Sequence, residues 1–117
     1  MTDIQRIDSN QVMSAATIFN QVVYLSGQVP KNTAQDIARQ TRDILTTIDR
    51  ILSESKSDKS RIISAQLFLK DLADFQVVNQ IWMEWLAGLP KPARATIQAD
   101  LVNPDWLIEI AITAAQN

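Results

Sequence analysis

Hydrophobic residues recur at helical spacing through the middle of the first half of the chain. The positions in question are Ile37, Thr41, Ile44, Leu45, Ile48, Ile51 and Leu52. Thr33 and Asp36 precede them with the spacing of a capping pair, so we expect the helix to begin at Thr33. It should run for about six turns at about 3.6 residues per turn. The opposite helix face mixes both signs of charge and is expected to be solvated.

A second apolar stripe predicts another helix, which Asp74 can cap and which Gly88 and Pro90 end. The residues expected to be buried are Phe75, Val78, Ile81, Trp82, Trp85 and Leu86. The spacing of the two tryptophans favours packing in the core or at an interface over stacking on a ligand.

Strand patterns occupy the rest of the chain. Residues 17–28 read as a hairpin around Asn20-Gln21, and residues 61–70, 93–102 and 106–114 read as further strands. Residues 53–60 form a polar loop. The order hairpin, helix, strand, helix, strand, strand predicts an α+β fold in which a single mixed sheet carries both helices on one face. We expect one domain, residues 1–117.

The other face of that sheet has no cover within the chain. The strands that contain Ile63 and Ile110 also carry apolar neighbours on the opposite face. Burial of such a face by other copies of the chain is the simplest solution, and we therefore expect a homo-oligomer.

Composition limits the chemistry. Among 117 residues there are 11 Lys and Arg against 13 Asp and Glu, a net charge of -2, which disfavours nucleic acid and anionic lipid as partners. Cysteine and histidine are absent. That removes disulfides, thiolate nucleophiles and the commonest metal ligand, so we expect no metal site. Catalysis would have to use carboxylates, hydroxyls, Arg, Lys, Tyr or the backbone.

The N-terminal residues, Met1-Thr2-Asp3-Ile4, carry an acid where a secretion signal needs basic residues. No apolar run approaches the length of a membrane span. We therefore expect a cytoplasmic protein with no membrane partner.

Candidate chemistry lies near the C-terminus. Strand alternation in residues 93–102 gives one polar face, made of Arg94, Thr96, Gln98 and Asp100. Glu109 lies in a nearly continuous apolar segment, where its carboxylate is costly to desolvate unless paired. Arg94 on an adjacent strand is the expected partner. By this reasoning alone, a structural ion pair at a subunit interface is favoured over a catalytic site.

Four short segments give more information. They are Ser26-Gly27-Gln28-Val29-Pro30, Lys70-Asp71-Leu72-Ala73-Asp74-Phe75 with Asn79, Pro92-Ala93-Arg94, and Ile108-Glu109-Ile110. In order and spacing they resemble the landmarks of the YjgF or reactive-intermediate-deaminase (Rid) family, also described as endoribonuclease L-PSP-like. The resemblance covers nearly the whole chain.

The resemblance implies a chorismate-mutase-like fold, a homotrimer with clefts between neighbouring subunits, and no cofactor. It also implies hydrolysis of reactive 2-imino acids to 2-keto acids and ammonia. Arg94 would clamp the substrate carboxylate, Glu109 would orient and partly deprotonate a water, and the Gly27 carbonyl would meet the imine nitrogen. The other implied binding positions are Ser26, Asn79 and Thr96. The ligand would be a small carboxylate-bearing imine or keto acid.

This chain departs from the family pattern at two positions. Members with imine deaminase activity carry a tyrosine before the hairpin and often a cysteine two residues after the arginine. Here the nearest positions hold Met13 or its neighbours, and Thr96. We therefore expect a pocket of different shape. A nearby arginine would lower the pKa of Glu109 while burial would raise it, and the sequence leaves both open.

Three other interpretations remain open at this stage. The same cleft could bind a 2-keto acid or similar carboxylate without turnover and report it to a partner. RNA cleavage, an activity attributed to some relatives, would need a phosphodiester-cleaving constellation that this histidine-free sequence lacks. Arg94 and Glu109 could also serve only to hold an interface together.

Overall fold

A computed structural model describes residues 3–117; Met1 and Thr2, which belong to the N-terminal segment and to the expected domain 1–117, lie outside the described residues. The strands are β1 (Gln5–Ser9), β2 (Ser14–Phe19), β3 (Val22–Leu25), β4 (Ile62–Leu69), β5 (Ala93–Gln98) and β6 (Ile108–Ala115). The helices are α1 (Ile37–Glu54) and α2 (Phe75–Trp85). The sheet order is β1-β2-β3-β6-β4-β5. Among the strands of residues 3–117, β4 and β5 pair in parallel and the other neighbours pair antiparallel. The predicted α+β fold with one mixed sheet is confirmed.

The predicted hairpin is present as β2 and β3, with Phe19 paired to Val22. Asn20 and Gln21 both have positive φ, as a tight two-residue hairpin turn requires. The edge strand β1 was missed by the sequence analysis. Its side chains are exposed except for the half-buried Ile7, so it carries no alternating apolar pattern that could have revealed it.

Helix α1 begins later than expected. Its N-cap is Asp36, whose carboxylate accepts a hydrogen bond from the Arg39 amide at 3.0 Å, and the start at Thr33 is wrong. The helix has 18 residues and is therefore shorter than six turns. The predicted stripe is correct, because every position from Thr41 to Leu52 that was assigned to it is buried.

Helix α2 follows a short 3-10 turn, Leu72–Asp74. Asp74 makes no capping hydrogen bond. Asp71 caps the turn instead, by accepting a bond from the Ala73 amide at 2.9 Å. The predicted stripe is buried at Val78, Ile81, Trp82 and Leu86, whereas Phe75 is 36% exposed and Trp85 is half-buried. Phe75 lies in the first turn, where the helix end leaves room for solvent.

The register of strand β4, which lies between β6 and β5, shows which side chains share each face of the sheet. Ala65 pairs with Ile112 of β6 and with Arg94 of β5, so these three side chains share one face. Ala65 and Ile112 are buried in the core that the helices cover. On the opposite, uncovered face, Tyr24 and Ile97 are 48% and 51% exposed.

None of the helices within residues 3–117 combines the length and the apolarity needed to cross a bilayer.

A buried amide ties α1 to the loop that precedes β6. Gln40 is fully buried. Its Nε2 donates to the carbonyls of Gln35 and Asp105, both at 3.1 Å, and its Oε1 accepts from the Leu107 amide at 2.9 Å. Gln40 therefore positions the loop that leads into Ile108 and Glu109.

We predict that Gln40→Leu lowers the free energy of unfolding by about 2–4 kcal/mol, because two carbonyls and one amide lose their partners in a buried site. Urea denaturation measures this change. Gln76→Leu, an exposed position on α2, is the matched control and should change stability by less than about 0.5 kcal/mol. Equal effects of the two substitutions would contradict the assigned role of Gln40.

Candidate active site

The segment after β3 breaks the regular strand pairing. Tyr24 pairs with Thr113, and the next bridge joins Gln28 to Ile110, which leaves one extra residue on the Gly27 side, as in a β-bulge. Gln28 and Ile110 exchange two backbone hydrogen bonds, of 2.8 and 3.0 Å. Within residues 3–117 no partner bonds to the N–H or the carbonyl of Gly27. Its peptide is therefore free to bind a ligand.

Gly27 also makes room for Glu109. A Cβ atom at position 27 would lie 2.8 Å from Glu109 Cδ and 3.1 Å from its Cγ, and closer still to Oε2. Real Cβ atoms essentially never approach another atom closer than 3.0 Å, so a side chain at position 27 would displace the Glu109 carboxylate. The glycine is required here for close approach to a side chain.

Glu109 lies on the uncovered face of the sheet, where it pairs with Phe68 of β4. It is half-buried. Burial raises the pKa of the Glu109 carboxyl above its ordinary value. The ion pairs present in residues 3–117 join Arg50 to Asp8 and Glu54, so no cation of the described chain neutralises Glu109. The sequence left open whether a nearby arginine lowers the pKa of Glu109 or burial raises it. In the single chain, burial raises it.

Glu109 and Gly27 line a cleft of about 490 Å³ on this face. Its other lining residues are Asp8, Asn10, Met13, Ala15, Ser26, Gln28, Val29, Val102 and Trp106. This size falls within the usual range of small-molecule sites. Ser26 reaches the cleft because its backbone amide bonds to the Ala15 carbonyl at 2.9 Å.

Arg94 lies elsewhere, on the helix-covered face near the β5 edge. Its Nη1 donates to Asn79 Oδ1 at 2.7 Å. The guanidinium carbon is 5.7 Å from the ring centroids of both Phe75 and Trp82, within the range of cation-π attraction. Thr96, on the same strand, has a buried hydroxyl with no hydrogen-bond partner in the described chain. The guanidinium is thus held in place while most of its donors remain unused by the protein.

The predicted site residues therefore form two groups. Ser26, Gly27 and Glu109 meet in the cleft, whereas Arg94, Asn79 and Thr96 surround the β5 edge. The expected pairing of Arg94 with Glu109 on adjacent strands is wrong for a single chain. Strand β4 lies between their strands, and the two side chains project from opposite faces, because Arg94 is in register with Ala65 and Glu109 with Phe68.

Sequence reasoning missed the residues that support each group. Phe75 and Trp82 flank Arg94, and their spacing with Asn79 places all three on one side of α2, a signal that was present in the sequence. Packing of Trp82 in the core is confirmed, since it is only 6% exposed. Trp106 and Val102 border the cleft from the irregular loop between β5 and β6. The predicted strands 93–102 and 106–114 included both residues, and those bounds are wrong, because β5 ends at Gln98 and β6 begins at Ile108.

Comparisons with known proteins identify the family of the chain. The family model described as Endoribonuclease L-PSP matches residues 3–116. A RutC family protein of Haemophilus ducreyi is 44% identical over 114 residues, covering 97% of each chain. The 3-aminoacrylate deaminase RutC of Acinetobacter baylyi is 38% identical over 105 residues, covering 85% of this chain and 82% of the relative.

A solved structure gives the same result in three dimensions. The crystal structure of a YjgF family member from Neisseria meningitidis is 39% identical and superimposes with a TM-score of 0.93 over 98% of this chain and 96% of that one. The family match spans every strand and both helices. The chain belongs to the endoribonuclease L-PSP family, together with the YjgF and RutC proteins that it resembles.

Proposed function

We propose that the protein hydrolyses reactive 2-imino acids to 2-keto acids and ammonia in clefts between the subunits of a homotrimer. The observation that carries the proposal is the contact between Glu109 and Gly27. A carboxyl with a raised pKa lies beside a peptide whose polar groups have no partner in the described chain. A relative that is named for deamination of 3-aminoacrylate, an enamine, supports the same reaction class.

The division of the predicted site residues into two groups supports an active site to which two neighbouring subunits each contribute one group. Glu109 and Gly27 open onto the uncovered sheet face, which still exposes Tyr24 and Ile97 and which association would bury. Arg94 lies at the β5 edge, where strand pairing within the chain ends. A neighbouring copy that covers the open face can bring its Arg94 to this cleft. One chain would then supply the carboxylate clamp and the other the base.

Each residue has a defined task in the reaction. The Arg94 guanidinium of one subunit binds the substrate carboxylate through two parallel hydrogen bonds. The Gly27 carbonyl of the other accepts the N–H of the imine. As the water oxygen attacks the imine carbon, Glu109 takes a proton from water and passes it to the imine nitrogen, which gives a carbinolamine. Glu109 then takes the hydroxyl proton of the carbinolamine and delivers it to the nitrogen as the C–N bond breaks, so that ammonia and the 2-keto acid leave.

The raised pKa of Glu109 suits this task, because a more basic carboxylate removes a proton from water more readily. The imine is itself reactive, so a modest lowering of the barrier is sufficient. Asn79, Phe75 and Trp82 support the clamp by limiting the orientations of the Arg94 guanidinium before substrate arrives.

The direct test follows the decay of 2-imino acids made in situ by an amino-acid oxidase, in competition with semicarbazide. We predict that wild type accelerates the decay and that Arg94→Ala loses about a hundredfold in kcat/KM, because a charged hydrogen-bond donor is removed. Arg94→Lys should recover only part of the loss, since an ammonium cannot form the planar pair of bonds. Glu109→Gln should lose about a hundredfold or more.

Two controls make the result specific. Arg39→Ala and Glu84→Gln change exposed helix residues outside both groups and should retain activity. Size-exclusion chromatography should show that Arg94→Ala keeps the wild-type assembly. Dissociation of that variant would assign Arg94 to the interface, and binding of 2-keto acids without any turnover by wild type would indicate a binding module.

The pKa of Glu109 also predicts a pH dependence. Because the carboxylate is the active form, kcat/KM should fall as pH decreases through a pKa above the ordinary glutamate value of about 4.3. The raised folded-state pKa means that protonated Glu109 stabilises the fold. This stabilisation is complete below the unfolded pKa and is lost as pH rises through the folded one.

Glu109→Gln supplies the check on that sign. The variant should gain stability over wild type as pH rises from about 4 to neutral, as measured by urea denaturation at each pH. A stability difference between the two proteins that stays constant over this range would show that the Glu109 pKa is not raised.

A further inference from the structure

A second concavity, of about 340 Å³, lies between the outer side of α1 and the loop that leads into this helix. The residues that line it are Lys31, Asn32, Gln35, Arg39, Arg42, Asp43 and Thr46. Arg39, Arg42 and Thr46 are exposed, and their spacing places them along one side of the helix. The proposed trimer buries the opposite side of the sheet, so this concavity remains open to solvent in the assembly.

The charge of this concavity is opposite in sign to that of the whole chain. Three cations, Lys31, Arg39 and Arg42, line it together with one carboxylate, that of Asp43, whereas the chain has a net charge of -2. Asp43 Oδ2 already accepts hydrogen bonds from the backbone amides of Lys31 at 2.6 Å and Asn32 at 3.4 Å. Because a concave surface lined by one sign of charge focuses its field, the site attracts anions.

The three cationic side chains keep their hydrogen-bond donors free. Several other cations of the chain donate to protein oxygens, namely Arg50, Arg61, Lys70, Lys91 and Arg94. Within residues 3–117, Lys31 and Arg39 bond to side-chain oxygens only through their backbone amides, and the ion pairs involve Arg50 instead. An ammonium and two guanidinium groups can therefore all donate to a ligand.

The backbone around the concavity is fixed by side-chain oxygens. The bonds to Asp43 hold the backbone of Lys31 and Asn32 against α1. Asn32 Oδ1 accepts from the Ala34 amide at 3.0 Å, and Asp36 caps the helix at the Arg39 amide. Lys31 is thus held beside the turns of α1 that carry the two arginines, which lowers the entropy cost of binding a ligand there.

The number and type of these cations indicate the class of anion. Guanidinium groups bind phosphate oxygens through pairs of parallel hydrogen bonds, and an ammonium adds a compact charge. An anion with a single charge would use only part of this set. A di- or triphosphate group has enough charges and acceptor oxygens to contact Lys31, Arg39 and Arg42 together.

An adjoining groove between α1 and α2 provides room for an organic part of the ligand. The groove has a volume of about 310 Å³ and shares Arg42 and Thr46 with the basic concavity. Its other lining residues are Leu45, Asp49, Ile81, Glu84 and Trp85. The two carboxylates of the groove repel phosphate, so a phosphate group stays at the basic end while an apolar or planar group contacts the groove.

We propose that Lys31, Arg39 and Arg42 form a binding site for the di- or triphosphate group of a small molecule. The site is separate from both groups of proposed catalytic residues and does not depend on the deaminase function. Inorganic tripolyphosphate and a nucleoside triphosphate both carry this group. The base or ribose of a nucleotide would lie in the groove beside Trp85.

Calorimetric titration of the full chain with tripolyphosphate and with ATP, both without magnesium, tests the site. Wild type should bind tripolyphosphate with a Kd below about 1 mM at low ionic strength, and added salt should weaken the binding. Lys31→Gln and Arg42→Gln should each weaken it about tenfold, because each removes a charged donor. Arg6→Gln removes the same charge from an exposed position on β1 outside the concavity and should leave the Kd unchanged.

The two ligands identify the source of the phosphate group. Tighter binding of ATP than of tripolyphosphate, with the same loss in Arg42→Gln, would support the site and add the groove to it. Equal affinities would support a site that recognises the phosphates alone. No binding by wild type, undiminished binding by Arg42→Gln, or equal weakening by Arg6→Gln would overturn the inference. So would an RNA oligonucleotide that binds more tightly than ATP, because the site would then serve nucleic acid.

Discussion

The double pairing of β4 is the constraint on which the rest of the structure depends. Its antiparallel ladder with β6 and its parallel ladder with β5 join the edge strand β5 to the rest of the sheet. The register of these ladders sends Arg94 towards the helices and Glu109 towards the uncovered face. With β4 between them, these two residues cannot form the ion pair that their chemistry would otherwise favour. Glu109 is left without a cation from its own chain.

That separation gives Glu109 its chemical character. A half-buried carboxylate with no counter-charge has a raised pKa and destabilises the fold when ionised. Close approach of Gly27 adds to the burial. A purely structural carboxylate would be expected to have an ion partner, so its lack within the described chain supports a functional role. Arg94, by contrast, is supported by Asn79 and two aromatic rings and keeps donors free for a ligand.

The sequence allowed most of the fold to be predicted, because burial in α1, α2 and the central strands follows simple periodicities. It did not reveal β1, since an edge strand with only Ile7 partly buried has no such pattern. It also misplaced Arg94 relative to Glu109. Alternation tells which residues of one strand share a face, but it says nothing about which strands are neighbours. The cleft residues of the loop before β6 depend on the buried Gln40 network and could not be read from spacing.

The central claim is that the site is completed between subunits, and mixed assemblies test it most directly. Arg94→Ala and Glu109→Gln chains would be co-expressed with different affinity tags and purified through both, which removes assemblies of one kind. In a mixed trimer with shared sites, one site in three combines an intact Arg94 with an intact Glu109, so activity should return to about one third of wild type. If mixed assemblies stay as inactive as either variant alone, both residues must act within one chain, and the account is contradicted.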